Sequence, residues 1–282
     1  MLVNLKTILK YAEDHKSAVG SFNVYNLESI LAVIDASQEL NEPVIISFGE
    51  GYISHAPIEV IAAIVKKLCS TSSIPVVLHL DHAKEFSTVM RAIRCGFTSV
   101  MYDGSYLPLA ENISNTRKIV DIAHAIGVSV EGELGYMNNE DGTSEKGFEL
   151  EKGYTSVSAS TQYVTGTGID ALAVAIGNAH GIYKGTPELD FERLSQISTA
   201  IGIPVVLHGC SGIPAEAIKK AVSLGVRKIN VNTEISTGAV REARDFLESH
   251  TEKNTRFETM LKAAQQTMSE TVKNYIKMLK EN

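Results

Sequence analysis

The chain has 282 residues, close to the size of one (β/α)₈ barrel or of two smaller domains. Its 44% hydrophobic and 21% charged content is that of an ordinary globular protein, and a net charge of −7 gives no electrostatic support to a general nucleic-acid role. Three cysteines without paired spacing, Cys69, Cys95 and Cys210, an N-terminal stretch that turns polar by Tyr11-Ala12-Glu13-Asp14, and the lack of any apolar run near the roughly 20 residues of a membrane span point to a cytoplasmic protein with no membrane partner.

Short apolar runs alternate with longer amphipathic stretches along the whole chain. Strands are expected at 18–23, 44–48, 76–80, 99–103, 129–134, 171–176, 205–207 and 228–231, and helices at 27–40, 58–68, 86–95, 113–125, 191–201 and 215–224. Gly96, Gly127, Gly168, Gly202 and Gly225 fall where helices should end before the next strand. Eight strands with intervening helices predict one closed TIM (β/α)₈ barrel, a single domain over 1–282. Leu261, Ala264, Met268, Val272, Ile276 and Leu279 share one face of a C-terminal helix, suited to packing or to an oligomer contact. Tyr136–Ser156 breaks the rhythm: it is polar, lacks useful periodicity and follows a strand, so it is expected to emerge at the active face. The run Ile-Pro-Val-Val-Leu-His occurs at both 74–79 and 203–208, a pattern that two buried barrel strands would select independently.

Chemistry concentrates at strand ends. His82, His180 and His208 each close an apolar run, and the latter two are followed by Gly181 and Gly209. Three imidazoles with a fourth position open are the donor set of a catalytic zinc. Asp81 adjoins the first, either to orient an imidazole or to serve as a free base. His79 lies within its strand and, by alternation, is expected to point away from His82. The loops Gly209-Cys210-Ser211-Gly212 and Gly181-Ile182-Tyr183-Lys184 offer backbone N–H groups and a lysine to an anion. Asn230-Val231-Asn232-Thr233 ends the last strand with hydrogen-bonding side chains, although Asn232 and Thr233 suit helix capping equally well.

Leu80-Asp81-His82, Val130-Glu131-Gly132-Glu133-Leu134-Gly135, Gly177-Asn178-Ala179-His180-Gly181, His208-Gly209-Cys210-Ser211-Gly212 and Ile229-Asn230-Val231-Asn232-Thr233-Glu234, in this order, resemble the class II, metal-dependent fructose-bisphosphate aldolase family, which includes tagatose-bisphosphate aldolases. The resemblance implies a lyase that reversibly cleaves a ketose 1,6-bisphosphate to dihydroxyacetone phosphate and an aldehyde phosphate. It implies one Zn²⁺ per subunit on His82, His180 and His208, allows a monovalent cation beside it, and suggests a homo-oligomer, dimer or tetramer. It gives Asp81 as the acid/base at the C4 hydroxyl and Glu140 as the carboxylate that moves a proton at the enediolate carbon. Asp103 and Glu133 would stand behind the ligands or at an alternate metal position. Asn23, Gly181, Lys184, Gly209, Cys210, Ser211, Asn230, Val231, Asn232 and Thr233 would contact the substrate, and Arg256 its distal phosphate.

The sequence departs from the family pattern at four places. Asn138-Asn139 stands where a Gly-Gly is common, Cys210 where the phosphate loop has a glycine, Gly49 where a hydroxyl residue is frequent, and Asn254-Thr255-Arg256 only loosely matches the segment of the distal-phosphate arginine. Two other readings keep the fold: hydrolysis by zinc-bound water, and a diverged, non-catalytic sugar-phosphate binder.

Overall fold

The computed structural model describes residues 1–135, 153–183, 185–251 and 254–280. Eight parallel strands close in sequence order: β1 (Val19–Asn23), β2 (Val44–Gly49), β3 (Val76–Ala83), β4 (Ser99–Tyr102), β5 (Ser129–Leu134), β6 (Ala171–Val174), β7 (Val205–Leu207) and β8 (Val226–Val231), with β8 pairing back onto β1. The helices are α1 (Leu5–Asp14), α2 (Leu27–Leu40), α3 (Ile58–Cys69), α4 (Phe86–Cys95), α5 (Leu109–His124), α6 (Val157–Thr167), α7 (Phe191–Ile201), α8 (Ala215–Ser223), α9 (Thr233–Ser249) and α10 (Phe257–Lys280). The expected TIM barrel with a C-terminal helix is the fold.

Because side chains alternate along a strand, each strand feeds two cores. Outward residues such as Phe22, Ile46, Leu78, Val100, Val130 and Leu172 pack under the ring of helices. Inward residues build layers. The lowest layer is apolar: Val19, Ile45, Val77, Ala171, Ala173 and Val206 meet Leu5, Ile8, Leu9 and Ala12 of α1, which plugs the N-terminal mouth of the barrel. Asn4 caps that helix by accepting from Thr7 N. Above the apolar layer the inward positions turn polar: Ser47 pairs in register with His79, His79 with Ser99, and Ser21 with Asn230. One step higher Gly49 lies beside Asp81. The strand sequences therefore sort greasy residues to the floor of the barrel and titratable ones to its C-terminal rim, where such barrels carry chemistry.

The helix α10 packs against α2 and α9 through Ala264, Met268, Val272, Tyr275, Ile276 and Leu279, so the apolar face read from the sequence is consumed within the chain. Tyr275 donates to Glu234 Oε2 at 2.6 Å, and Glu234 Oε1 accepts from Gly212 N at 3.2 Å. The last helix thereby braces the loop that follows β7.

Candidate active site

The C-terminal rim encloses a cavity of about 420 Å³ lined by Asn23, Asp81, His82, Asp103, Glu133, His180, Gly181, Gly209, Ser211, Asn230, Asn232 and Thr233. Twelve residues singled out from the sequence are thus gathered from every strand end but that of β2. Among the described residues, Gly49, Glu50, Gly51, Tyr52, Lys84, Ser105 and Tyr106 complete the lining.

The strand β3 solves a geometric problem. Simple alternation would send Asp81 and His82 to opposite faces. Between the pairs Leu80–Val100 and Ala83–Tyr102, three steps on β3 match two on β4, which is a bulge. His82 takes the bulge's strain, with φ at +49°, a conformation that costs a non-glycine residue roughly 1–3 kcal/mol. Both side chains then face the cavity. The alternation argument fails for His79 too: it points inward with Asp81, one layer deeper, with Nδ1 2.8 Å from Ser99 Oγ and Nε2 3.7 Å from Glu131.

The three strand-end imidazoles converge. His82, His180 and His208 each place a ring nitrogen within 4.8 Å of the others, and Nε2 of His82 lies 2.9 Å from Nδ1 of His208. The far nitrogens of two rings are held by carboxylates, Nδ1 of His82 by Asp103 at 3.2 Å and Nε2 of His208 by Glu131 at 2.9 Å. That arrangement fixes the rings and turns their remaining nitrogens toward one point. His180 is kept neutral by burial and by the other two imidazoles, at about 3. Burial disfavours a charged His82, yet Asp81, Asp103 and Glu133 outweigh it and raise the ring to about 10. Glu133 itself is held well above the ordinary carboxylate range by burial and by Asp103, and its Oε2 finds no hydrogen-bond partner among the described residues. Three converging imidazole nitrogens in an acidic pocket fit a divalent cation, and His82, Asp103 and Glu133 form a second group with metal-like spacing.

Asp81 is presented differently from a carboxylate that merely backs a ligand. Asn23 Nδ2 donates to its Oδ2 at 3.0 Å and Asn230 Nδ2 to its Oδ1 at 3.3 Å. Burial opposes its ionisation, but His82, His208 and Lys228 outweigh that and hold it below the usual carboxylate range. The result is an oriented, ionised base at the cavity wall.

Beneath the imidazoles lies an ion pair that sequence reasoning missed. Lys228 and Glu131 are fully buried, with Nζ 2.9 Å from Oε2. Burial opposes ionisation of Glu131, and Lys228 overcomes it, placing the carboxyl at about 2. A charged residue at an inward strand position, two before Glu133 and two before Asn230, was the available signal.

The glycine side of the cavity is equally constrained. Gly209 has φ at +62°, and a Cβ there would sit 2.1 Å from the Ala179 carbonyl oxygen. Tyr183 bridges the two loops, accepting from Ala179 N at 2.9 Å and donating to Gly209 O at 2.8 Å. Asn232 does not cap α9 with its side chain; it accepts from Tyr25 Oη and donates to Tyr52 Oη at 3.0 Å. The Tyr52 ring fills the space beside Gly49, 3.2 Å from where a Cβ would stand.

Three assignments from the sequence are corrected. Cys210 is buried away from the cavity, its thiol directed at Leu207 O and its backbone N–H given to Asn230 O. Val231 faces outward into the layer under the helices, as alternation from Asn230 requires. Arg256 does not reach the cavity: its side chain is 78% exposed and lies 3.6 Å from Glu258. Glu140 and Lys184, and residues 136–152 of the long loop, lie outside the described residues.

Comparison with known proteins agrees with this geometry. The family model for class-II fructose-bisphosphate aldolase matches residues 3–282. A fructose-bisphosphate aldolase of Staphylococcus aureus (strain Mu50 / ATCC 700699) is 41% identical, covering 98% of this chain and 96% of its own length. Among solved structures, the YdjI aldolase of Escherichia coli K12 superposes with a TM-score of 0.87 at 34% identity, covering 99% of this chain and 97% of that one. A putative fructose-1,6-biphosphate aldolase of Coccidioides immitis also superposes at 0.87, with 32% identity, 98% of this chain and 96% of that one covered. With its barrel, its converging rim residues and a match over nearly its whole length, the chain belongs to the class II fructose-bisphosphate aldolase family and is an aldolase, a lyase acting on a phosphorylated sugar.

Proposed function

We propose that this aldolase, as one barrel domain over residues 1–282 working in the cytoplasm, cleaves fructose 1,6-bisphosphate, with tagatose 1,6-bisphosphate the second choice, to dihydroxyacetone phosphate and glyceraldehyde 3-phosphate. The observation that carries this reading is the juxtaposition of three converging imidazoles with an amide-held Asp81 at one cavity wall. His82, His180 and His208 would hold a divalent ion, for which zinc suits the all-nitrogen donor set. When bound, it supplies the electrophilic pull on the ketose carbonyl that carbon–carbon cleavage needs.

The chain's own residues do the rest. Asp81 accepts the proton of the C4 hydroxyl as the C3–C4 bond breaks and returns it in the condensation direction. Asn23 and Asn230 keep both of its oxygens aimed, while Asp103 and Glu131 keep the rings of His82 and His208 from rotating. Gly181, Gly209 and Ser211 bind the phosphate of the dihydroxyacetone half, with Lys184 adding charge. Fixing that phosphate holds the scissile bond in place and lowers the entropic part of the barrier. Glu140 moves the proton at C3.

Cleavage of fructose 1,6-bisphosphate, coupled to a dehydrogenase and repeated with tagatose 1,6-bisphosphate, tests the reading. Activity should vanish on chelation and return with Zn²⁺; full turnover in chelator would exclude metal dependence, and cleavage of neither ketose would exclude the substrate class. Gly209→Val should weaken both dihydroxyacetone phosphate and bisphosphate about tenfold or more. Its side chain would strike the Ala179 carbonyl and displace N–H donors whose hydrogen bonds to a charged group are worth roughly 1.5–3 kcal/mol each. Unchanged titrations of both ligands would move the phosphate site elsewhere.

A further inference from the structure

The glycine side of the cavity has a carboxylate at its back. Ser211 and Thr233 line the cavity, and Glu234 follows Thr233 directly without lining it. The Glu234 backbone N–H donates to Ser211 Oγ at 3.3 Å. The Ser211 hydroxyl accepts that bond and so keeps its own hydrogen for a partner in the cavity. The Glu234 side chain closes the clasp: Oε1 accepts from Gly212 N at 3.2 Å and Oε2 from Tyr275 Oη at 2.6 Å. Tyr275 is buried on α10, and its Oη also lies 3.5 Å from Cys210 O. A carboxylate one residue from groups that receive a phosphate dianion repels it unless it is turned away and held there. The Tyr275 hydroxyl supplies that hold from the last helix.

We propose that Tyr275 is a positioning residue for phosphate binding: its hydroxyl keeps Glu234 clasped behind the β7–α8 loop, where the carboxylate shapes Ser211 and Gly212 instead of opposing the anion. This rests on the reading above that Gly181, Gly209 and Ser211 hold the phosphate of the dihydroxyacetone half. Without the hydroxyl, Glu234 loses a charge-assisted hydrogen bond, the stronger kind. Its carboxylate is then free to turn toward the cavity beside Thr233, where its charge acts against the dianion. Gly212 N loses its acceptor at the same time, and the loop loses its shape. The clasp holds the loop and not the proton acceptor Asp81, so the loss falls on substrate binding.

The test uses the zinc-loaded full chain as wild type, Tyr275→Phe, and the double variant Tyr275→Phe/Glu234→Gln. Calorimetric titration gives Kd for dihydroxyacetone phosphate, steady-state cleavage gives kcat and KM for fructose 1,6-bisphosphate, and melting curves report folding. Phenylalanine keeps the ring, so Tyr275→Phe should fold and bind both ligands about fivefold more weakly, the scale of one net hydrogen bond, with kcat close to wild type. Adding Glu234→Gln should restore most of the affinity, because a neutral amide no longer repels the dianion while its oxygen can still accept from Gly212 N. A merely structural tyrosine demands the reverse, since the second substitution would weaken the clasp further. Unchanged Kd and KM in Tyr275→Phe, a loss in kcat instead of KM, or a double variant no better than the single overturns the assignment. A Tyr275→Phe chain that does not fold at the assay temperature makes Tyr275 a fold residue and overturns it as well. Wild type that binds no dihydroxyacetone phosphate overturns the phosphate reading together with this one; normal wild-type binding with an unmoved Tyr275→Phe overturns this one alone.

Discussion

Replacing His208 with alanine should abolish cleavage and strip the protein of stoichiometric zinc, and His82→Ala and His180→Ala should do the same. Three nitrogens within 4.8 Å form a minimal set for a catalytic ion, and two do not hold one at a defined position. The polarisation lost is worth several kcal/mol, so turnover should drop by at least about 10³-fold. His208 needs a control for folding, because it is fully buried and its removal leaves Glu131 with one partner fewer. His180 supplies that control: it is partly exposed and closes no buried ion pair among the described residues, so His180→Ala should keep the wild-type melting profile in the presence of chelator. Metal analysis by mass spectrometry alongside circular dichroism separates the effects. Full metal content in all three variants would remove these residues as ligands.

The rhythm of the barrel was legible because a parallel strand buried on both faces reads as an unbroken apolar run. Five elements have the bounds read from the sequence: α2, α4, β5, α7 and β7. Three helices were not read, each for its own reason. The segment that became α1 carries Leu5, Ile8, Leu9 and Ala12 at helical spacing, but nothing in one sequence says that such a face will plug a barrel. In α6, Val157, Ser158, Ser160, Thr161 and Gly166 are poor helix formers, and the buried face includes Ser160 and Thr167. In α9 only Ile235 and Gly238 are buried, too sparse for a periodic signal.

The site was legible where residue type alone is informative, and not where geometry decides. Histidines at strand ends stand out; a bulge that turns two consecutive residues to one face does not. The same hidden bulge made His79 look misdirected, when it and Asp81 share the inward register and His82 is the exception. Lys228 follows Arg227 in the sequence, and only the barrel's inside–outside assignment shows that the first is buried on Glu131 while the second reaches helix-end carbonyls. The resemblance makes Cys210 and Val231 contacts beside lining residues, but alternation and a committed backbone N–H turn them away.

Asp81→Asn should leave the metal bound and slow cleavage by about 10²–10⁴-fold, the range of a positioned proton acceptor. The substitution keeps volume and planarity, so His82 can hold its bulged conformation and its contact with Asp103. What it removes is charge and basicity: an amide cannot take a hydroxyl proton. It also breaks the hydrogen-bond logic of the wall. Asp81 accepts from two amide nitrogens, Asn23 Nδ2 and Asn230 Nδ2, and an asparagine there can accept from only one of them, so one pair of N–H groups is left facing another. The Asn23 amide can relieve that clash by turning over; Asn230 is less free, since its Nδ2 also lies 3.4 Å from both ring nitrogens of His208. The loss should therefore fall on kcat, with KM and zinc content near wild type. Two measurements decide it: single-turnover cleavage of the bisphosphate, and detritiation of dihydroxyacetone phosphate labelled at C3. If Asp81 acts at the C4 hydroxyl, the first should collapse while proton exchange at C3 persists. Equal slowing of both would make Asp81 a general support of the site, and near-wild-type cleavage would return it to orienting the imidazole beside it.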